Sequence, residues 1–504
     1  MKEGSSYGQI LRSSSIIGGA SVINILISLL RTKVAAVLLG PAGIGLIGLF
    51  QNLIATASAV SALGFGNVGT RQIAEASGRQ DLDGVAAARR ALLWGTLILA
   101  LVGTGLVWLF RNSLATHVLG DVNRGDDVGW LALGVGLTVA AGSQGALLNG
   151  LRRIGDIARV SVWSSVLATV IGIGALWLWG THGLMVFVLA TPLASFLLGH
   201  VYVGRLPKID APRTPMPEMA KQWRVMVRLG VAFMVSGVVV TAGQLAVRSM
   251  VQHQLGAESL GQFQAAWAIS MTYIGFVLGA MGTDYYPRLT AAFHDHAAVN
   301  RMVNEQTEVA LLLAGPVFLA MLALAPWVIQ LLYSGDFDQA SSILRWQVLG
   351  DVLKVASWPM GFIILAAGDG RTFMLTESLT IAVFAGLVWF GLPTIGVQVT
   401  GIAFLGMYFV YLPLIYYLAR RRTGFVWAAQ VRRHFLWLLL AASFICLIAI
   451  WYKWVALIAG LLTTAAFGFY SLSLLCKMNN FEAPASRGVE MWRRILIKVG
   501  QRGG

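Results

Sequence analysis

Apolar runs of bilayer-spanning length follow one another almost from end to end of this chain, and no other feature constrains its fold as tightly. A hydrocarbon core about 30 Å thick asks for roughly 20 apolar residues per helical crossing. Cutting at charged, Gly and Pro punctuation gives fourteen such segments, at about 14–39, 42–66, 86–110, 128–150, 159–180, 183–204, 229–251, 261–283, 308–333, 343–366, 373–393, 398–418, 434–452 and 454–475. Mean hydropathy is +0.73, with 57% hydrophobic and 12% charged residues, which excludes a water-soluble globular composition. The sequence therefore predicts an all-α polytopic membrane protein of about 14 transmembrane helices.

The distribution of basic residues predicts its orientation. With the N-terminus in the cytoplasm, 29 of the 37 Lys and Arg residues fall in cytoplasmic tails and loops. This strong positive-inside bias supports an even number of crossings with both termini cytoplasmic. It also accounts for the formal charge of +15 without a nucleic-acid partner, since the chain has no folded basic domain. The first segment lacks a strongly basic leader and a small-residue cleavage site, so it reads as a retained helix. Cys446 and Cys476 sit in late apolar segments with no metal-ligand or CxxC spacing.

Sliding the chain along itself until Leu39 meets Leu255 exposes an internal repeat. Leu39-Gly40-Pro41-Ala42-Gly43-Ile44-Gly45 aligns without gaps to Leu255-Gly256-Ala257-Glu258-Ser259-Leu260-Gly261, and Arg12 falls on Arg228. Each turn follows the first long segment of a half. The expected organisation is an N-lobe at 1–206 (spans 1–6), a cytoplasmic linker at 207–228, a C-lobe at 229–420 (spans 7–12), two extra spans at 434–475 and a basic cytoplasmic tail at 476–504. Six-plus-six repeats of this kind point to alternating access around a central cavity. In the tail, GVEMWRRILIKVG sets Trp492, Ile495, Leu496 and Val499 against Arg493, Arg494 and Lys498, the pattern of an interfacial amphipathic helix.

The stretches LLGPAGIGLIGLFQNLI (38–54), LRWQVLGDVLKV (344–355) and YYPRLTAAF (285–293) resemble Wzx-type flippases of O-antigen and enterobacterial-common-antigen lipid intermediates, within the multidrug/oligosaccharidyl-lipid/polysaccharide exporter superfamily. The resemblance runs in segment order over roughly residues 10–420. It implies two six-helix lobes around a basic cavity in the bacterial inner membrane. The implied activity is transfer of an undecaprenyl-diphosphate-linked oligosaccharide from the cytoplasmic to the periplasmic leaflet, coupled to a gradient of H+ or Na+ with no other cofactor. A polysaccharide polymerase and a chain-length regulator are the partners it suggests, beside the lipid-linked substrate and membrane lipids. Spans 13 and 14 extend beyond shorter twelve-helix members.

Charges at membrane depth cost a few kcal/mol each (~3 on insertion scales), so those in the spans are the candidate site residues. A diphosphate is well held by Arg forks and Lys point charges, which nominates Arg31, Lys33, Arg248, Arg345 and Lys354. Arg31 is expected to face the cavity and Lys33 the outer interface, because two residues apart on a helix they point to opposite sides. Arg248 falls one residue from the repeat equivalent of Arg31, so both first helices carry an inward cation. Arg345, near the outer end of span 10, reads equally as a snorkelling side chain. Asp351 and Lys354 share a helix face, either as a structural ion pair or as a cavity pair in which the carboxylate carries a proton. Glu377 is a second coupling carboxylate or a solvated helix start, and Asp284 a structural partner of Arg288.

No P-loop, HExxH, zinc spacing or GxSxG elbow occurs, so neither a direct ATP site nor metal catalysis is expected. Two other readings compete. A drug or small-cation antiporter of the same superfamily calls for carboxylates lining the cavity, whereas this inventory leans cationic. A membrane glycan polymerase or ligase calls for a sizeable external loop, and the longest here is about Arg111–Asp127. Within flippases, a lipid II carrier is a further alternative.

Overall fold

The structure, a computed structural model, describes residues 4–207 and 215–479, with most side chains from Ile16 onward. The amphipathic helix expected around Trp492 lies outside the described residues. Fourteen α-helices follow in order among them: α1 Gly4–Ser61, α2 Phe65–Gly78, α3 Leu82–Leu109, α4 Arg111–Leu114, α5 Gly125–Gly150, α6 Ile154–Trp179, α7 Leu184–Gly204, α8 Met216–Ala291, α9 His296–Leu332, α10 Asp338–Ala366, α11 Gly370–Ile395, α12 Val399–Thr423, α13 Ala429–Trp451 and α14 Lys453–Asn479. Among the described residues there is no strand.

Ten helical stretches of the described chain are long and apolar enough to cross a membrane, making this a multi-pass membrane protein. Four of them, Ile16–Ser61, Ile154–Gly204, Gln222–Gly279 and Gly370–Thr423, run to 46, 51, 58 and 54 residues, about twice the length a ~30 Å core requires. Each is interrupted near its middle. α1 and α8 break at Gly40 (φ 64°) and Gly256 (φ 81°). Short 3-10 turns beginning at Gly180 (φ 55°) and Gly396 (φ 70°) separate α6 from α7 and α11 from α12. The repeat offset that carries Gly40 onto Gly256 also carries Gly180 onto Gly396, and each of the four sits in the left-handed region that a Cβ disfavours. The repeat read from one motif thus governs the backbone at two separate breaks.

Backbone contacts gather the chain into two compact units. The larger runs to Ile274 and takes in Ala325–Gly350 and Asp369–Pro413. Its core is built from side chains such as Phe50, Leu53, Leu131, Val135, Phe263 and Phe404, with small residues letting backbones approach. Here too the register repeats. A Cβ on Gly134 of α5 would meet Leu189 of α7, and one on Gly350 of α10 would meet Leu405 of α12, both members moved by the repeat offset. Trp108, Trp130, Trp177 and Trp179, all more than half exposed, mark the ends of α3 and α6 and the start of α5, as an interfacial aromatic belt does.

The smaller unit comprises Gly275–Leu324, Asp351–Gly368 and the chain from Leu414 onward. In it α14 lies on α9, where Gly315 accommodates Phe467 and Gly460 accommodates Ala323. Asn300 and Asn304 of α9 bind the connection between α12 and α13: Asn300 Nδ2 donates to Thr423 O at 2.8 Å, and Asn304 Oδ1 accepts from Ala428 N at 2.7 Å. The two extra spans are therefore fastened to α9 by polar contacts as well as by packing.

Candidate functional site

Arg31 lies in the first half of α1. Its guanidinium donates to Thr191 Oγ1 at 2.5 Å and to the Phe187 carbonyl, and sits 4.2 Å from the centroid of the Phe187 ring. Both partners belong to α7, so the half-buried cation bridges the first and sixth spans of its repeat. In the second repeat Arg248 occupies the first half of α8 and is only 4% exposed. Its Nε donates to Gln264 Oε1 at 3.1 Å and its Nη1 to Gln244 O at 3.2 Å, while its guanidinium carbon lies 5.6 Å from the ring centroids of both Phe263 and Trp267. Planar stacking on aromatic faces suits arginine better than lysine. Each first helix therefore carries a guanidinium that is held by oxygen acceptors and aromatic rings of its own repeat.

Lys33, expected at the outer interface, is half-buried and caps the end of a helix. Its ammonium donates to the carbonyl oxygens of Tyr333 at 2.5 Å and Gln330 at 3.1 Å, at the C-terminal end of α9. Last-turn carbonyls have no intrahelical donor and carry the negative end of the helix dipole, so a cation is the fitting cap. Tyr333 is 300 residues away along the chain, and nothing local in the sequence nominates it.

α10 carries Arg345, Asp351 and Lys354. Arg345 is 7% exposed and Asp351 fully buried, while Lys354 is half-buried. An arginine so enclosed is not a snorkelling side chain. On the next helix Glu377 accepts from Tyr411 Oη at 3.5 Å, the long limit of a hydrogen bond, and lines a cavity of about 350 Å³ with Val235, Val239, Arg371 and Ser378. The cavity belongs to the larger unit and pairs an acidic with a basic side chain among apolar walls. The sequence places Arg371 only among the cytoplasmic charges, since it falls in the connection between the segments at 343–366 and 373–393. The side chain of Asp284 lies outside the described residues.

The sequence reading misses a polar cluster of the smaller unit. His434 of α13, buried, has Nε2 2.8 Å from Tyr470 Oη of α14 and Nδ1 3.4 Å from Glu308 Oε1 of α9. A cavity of about 550 Å³ beside it is lined by Arg433, Trp437 and Phe467 among others. Glu308 and His434 open their apolar segments in the sequence, where a helix-end reading hides their shared depth.

The chain is thus a helical membrane protein assembled from two matched repeats, with a cation held within the first helix of each. Its sequence matches the family described as polysaccharide biosynthesis protein over residues 34–342, and the chain belongs to that family. Among curated proteins it is similar to the Lipid III flippase of Escherichia coli (strain K12), 23% identical over 428 residues that cover 82% of this chain and 99% of the relative. Among solved structures it resembles Lipid II flippase MurJ in an inward closed conformation, with a TM-score of 0.68, 13% identity and coverage of 92% of this chain and 100% of the other. An inward-facing multidrug resistance MATE family transporter of the MOP superfamily gives a TM-score of 0.67 at 18% identity, covering 80% of this chain and 94% of that one. The chain shares its fold with these two solved structures.

Proposed function

We propose that this protein is a flippase that carries an undecaprenyl-diphosphate-linked oligosaccharide from the cytoplasmic to the periplasmic leaflet of the bacterial inner membrane, for surface polysaccharide biosynthesis. It is a transporter and not an enzyme. The observation that carries the reading is the pair Arg31 and Arg248, guanidinium groups at corresponding depth on the first helix of each repeat. A diphosphate crossing hydrocarbon needs cationic partners on both sides of its path, and forked guanidinium donors fit its oxygens. Fourteen crossings, two six-helix lobes at 1–206 and 229–420 with spans 13 and 14 appended, a central cavity and two cytoplasmic termini complete the proposal. Alternating access moves the head group through the protein while the polyprenyl tail stays in lipid.

Lys33, Arg345 and Lys354 extend the cationic path in this reading, and Asp351, Glu377 and Asp284 are the candidates for coupling to H+ or Na+. Glu377 is the best placed of these, because it lines a cavity with Arg371, whose charge competes for it. A polysaccharide polymerase and a chain-length regulator are the partners expected downstream. The name of the Escherichia coli relative supports a lipid-linked substrate. An antiporter of small cations is disfavoured by the excess of basic over acidic side chains within the spans.

Complementation tests the proposal. A strain lacking its own flippase receives wild type, Arg31→Ala, Arg248→Ala or Lys354→Ala at matched membrane expression, and surface polysaccharide is quantified. Restoration by wild type and failure of the folded variants is the expected result. Restoration by every variant overturns the cationic path, and failure of wild type with several lipid-linked glycans overturns the flippase reading.

A further inference from the structure

Two sets of hydrogen bonds in the larger unit are copies of each other under the repeat offset. Lys33 Nζ donates to Tyr333 O at 2.5 Å. Moving the donor position forward by one repeat and the acceptor position back by one repeat gives Ser249 and His117, and Ser249 Oγ donates to His117 O at 3.1 Å. His253, one turn further along α8, adds its Nε2 at 3.1 Å from the same carbonyl. Because a carbonyl only accepts, that contact sets the His253 tautomer with its proton on Nε2.

Each set joins the far third of one repeat's first helix to the chain just past the third span of the other repeat. Tyr333 closes α9, and His117 lies in the wide helical turn Ala115–Leu119 that follows α3 and α4. The crossing is reciprocal, repeat one to repeat two and repeat two to repeat one. A pair of contacts related in this way holds the two repeats together at one end, the end away from the N-terminus of α1. Gly120 (φ 77°) shapes the second set: its Cα leaves the His253 ring room, where a Cβ would lie 3.3 Å from the imidazole.

The two sets differ in strength. An ammonium on helix-terminal carbonyls makes charge-assisted bonds, roughly twice as strong as neutral ones. The Ser249 and His253 contacts converge on a single carbonyl. We infer that these contacts form two pseudo-symmetric latches that close this end of the carrier, a strong one at Lys33 and a weak one at Ser249 and His253. In the positive-inside orientation this is the periplasmic end. Ser249 and His253 are then positioning residues, which set the balance between closed and open ends; Lys33 adds that part to its place in the cationic path, which it takes up once the latch opens and its ammonium leaves the two carbonyls. Their part in transport rests on the alternating-access reading above; the latching does not.

The test uses the full chain in lipid nanodiscs without substrate, with Cys446→Ala and Cys476→Ser removing the native thiols. Spin-label pairs at Leu38→Cys with Gly335→Cys, and at Thr116→Cys with Glu258→Cys, report distances across the two latches by double electron-electron resonance. Wild type is expected to give one narrow short-distance population at both pairs. Lys33→Met should raise the long-distance fraction about tenfold at both, as loss of a charge-assisted bond implies, and Ser249→Ala with His253→Ala should raise it less. Lys33→Arg, which keeps donors at the carbonyls, should restore the short distance. So should the exchange Lys33→Ser with Ser249→Lys, which moves the charge to its repeat equivalent.

Unchanged distances in the triple variant Lys33→Met, Ser249→Ala, His253→Ala overturn the latches, as does an exchange variant that opens as far as the triple. A triple variant that opens yet restores surface polysaccharide at the wild-type rate overturns their role in transport. Failure of wild type to complement leaves all these distances intact, so the two proposals fail separately.

Discussion

Gly45 and Gly261, equivalent positions of the two repeats, face one another where α1 crosses α8. A Cβ on Gly45 would lie 2.7 Å from the Gly261 nitrogen and 2.5 Å from the Ala257 carbonyl oxygen, and one on Gly261 would lie 2.8 Å from Pro41 Cα. Pro41 and Ala257 are themselves repeat equivalents, so the two halves meet here through a reciprocal, backbone-to-backbone contact. Side chains larger than hydrogen have no room at such a crossing.

Gly45→Val and Gly261→Val should each destabilise the protein by about 1–3 kcal/mol, because backbone cannot give way as a flexible side chain can. Thermal unfolding of the detergent-purified chain measures this. Similar losses are expected from the two, since each substitution intrudes on the same contact from opposite sides.

Gly40→Ala and Gly256→Ala force a Cβ into the left-handed region and should cost about 1–2 kcal/mol each. Gly18→Ala and Gly19→Ala in α1 meet open space, and a gain of about 0.5–1 kcal/mol in helix propensity is expected there. Equal behaviour of all four in thermal unfolding would refute the kink assignment.

Arg248→Lys should fail where Lys33→Arg succeeds. The Arg248 guanidinium stacks near two aromatic rings and reaches two oxygen acceptors, a planar task that an ammonium cannot perform. Surface polysaccharide in the complemented strain, at matched expression, reads the difference.

His434→Phe removes the partner of Tyr470 Oη and leaves Glu308 beside a ring without a donor, at a cost of about 1–3 kcal/mol. The α13 and α14 pair should then loosen from α9 and become accessible to limited proteolysis, while Arg432→Gln on the exposed face leaves the digestion pattern unchanged.

Glu377→Gln keeps the shape of the side chain and an acceptor for Tyr411 but cannot ionise. Transport in inverted vesicles should fall several-fold and lose its response to an imposed ion gradient, while thermal stability stays near that of wild type. A variant that still follows the gradient removes Glu377 from coupling.

The class of fold, the long apolar helices and the internal repeat are all legible along the chain, because local composition and a single motif encode them. Gly40 and Gly256 are recognisable as equivalents from that motif alone, and Arg31, Arg248 and Glu377 stand out because a charge in an apolar run is conspicuous by itself. Where those charges point is a property of the folded molecule. Lys33 reaches carbonyls on a helix of the other repeat, Arg345 is enclosed, Arg371 shares a cavity with Glu377, and Glu308, His434 and Tyr470 meet from three helices. A side chain's partner depends on which helices cross and at what height, and that is set by the summed packing of whole faces, to which no short stretch of sequence has access.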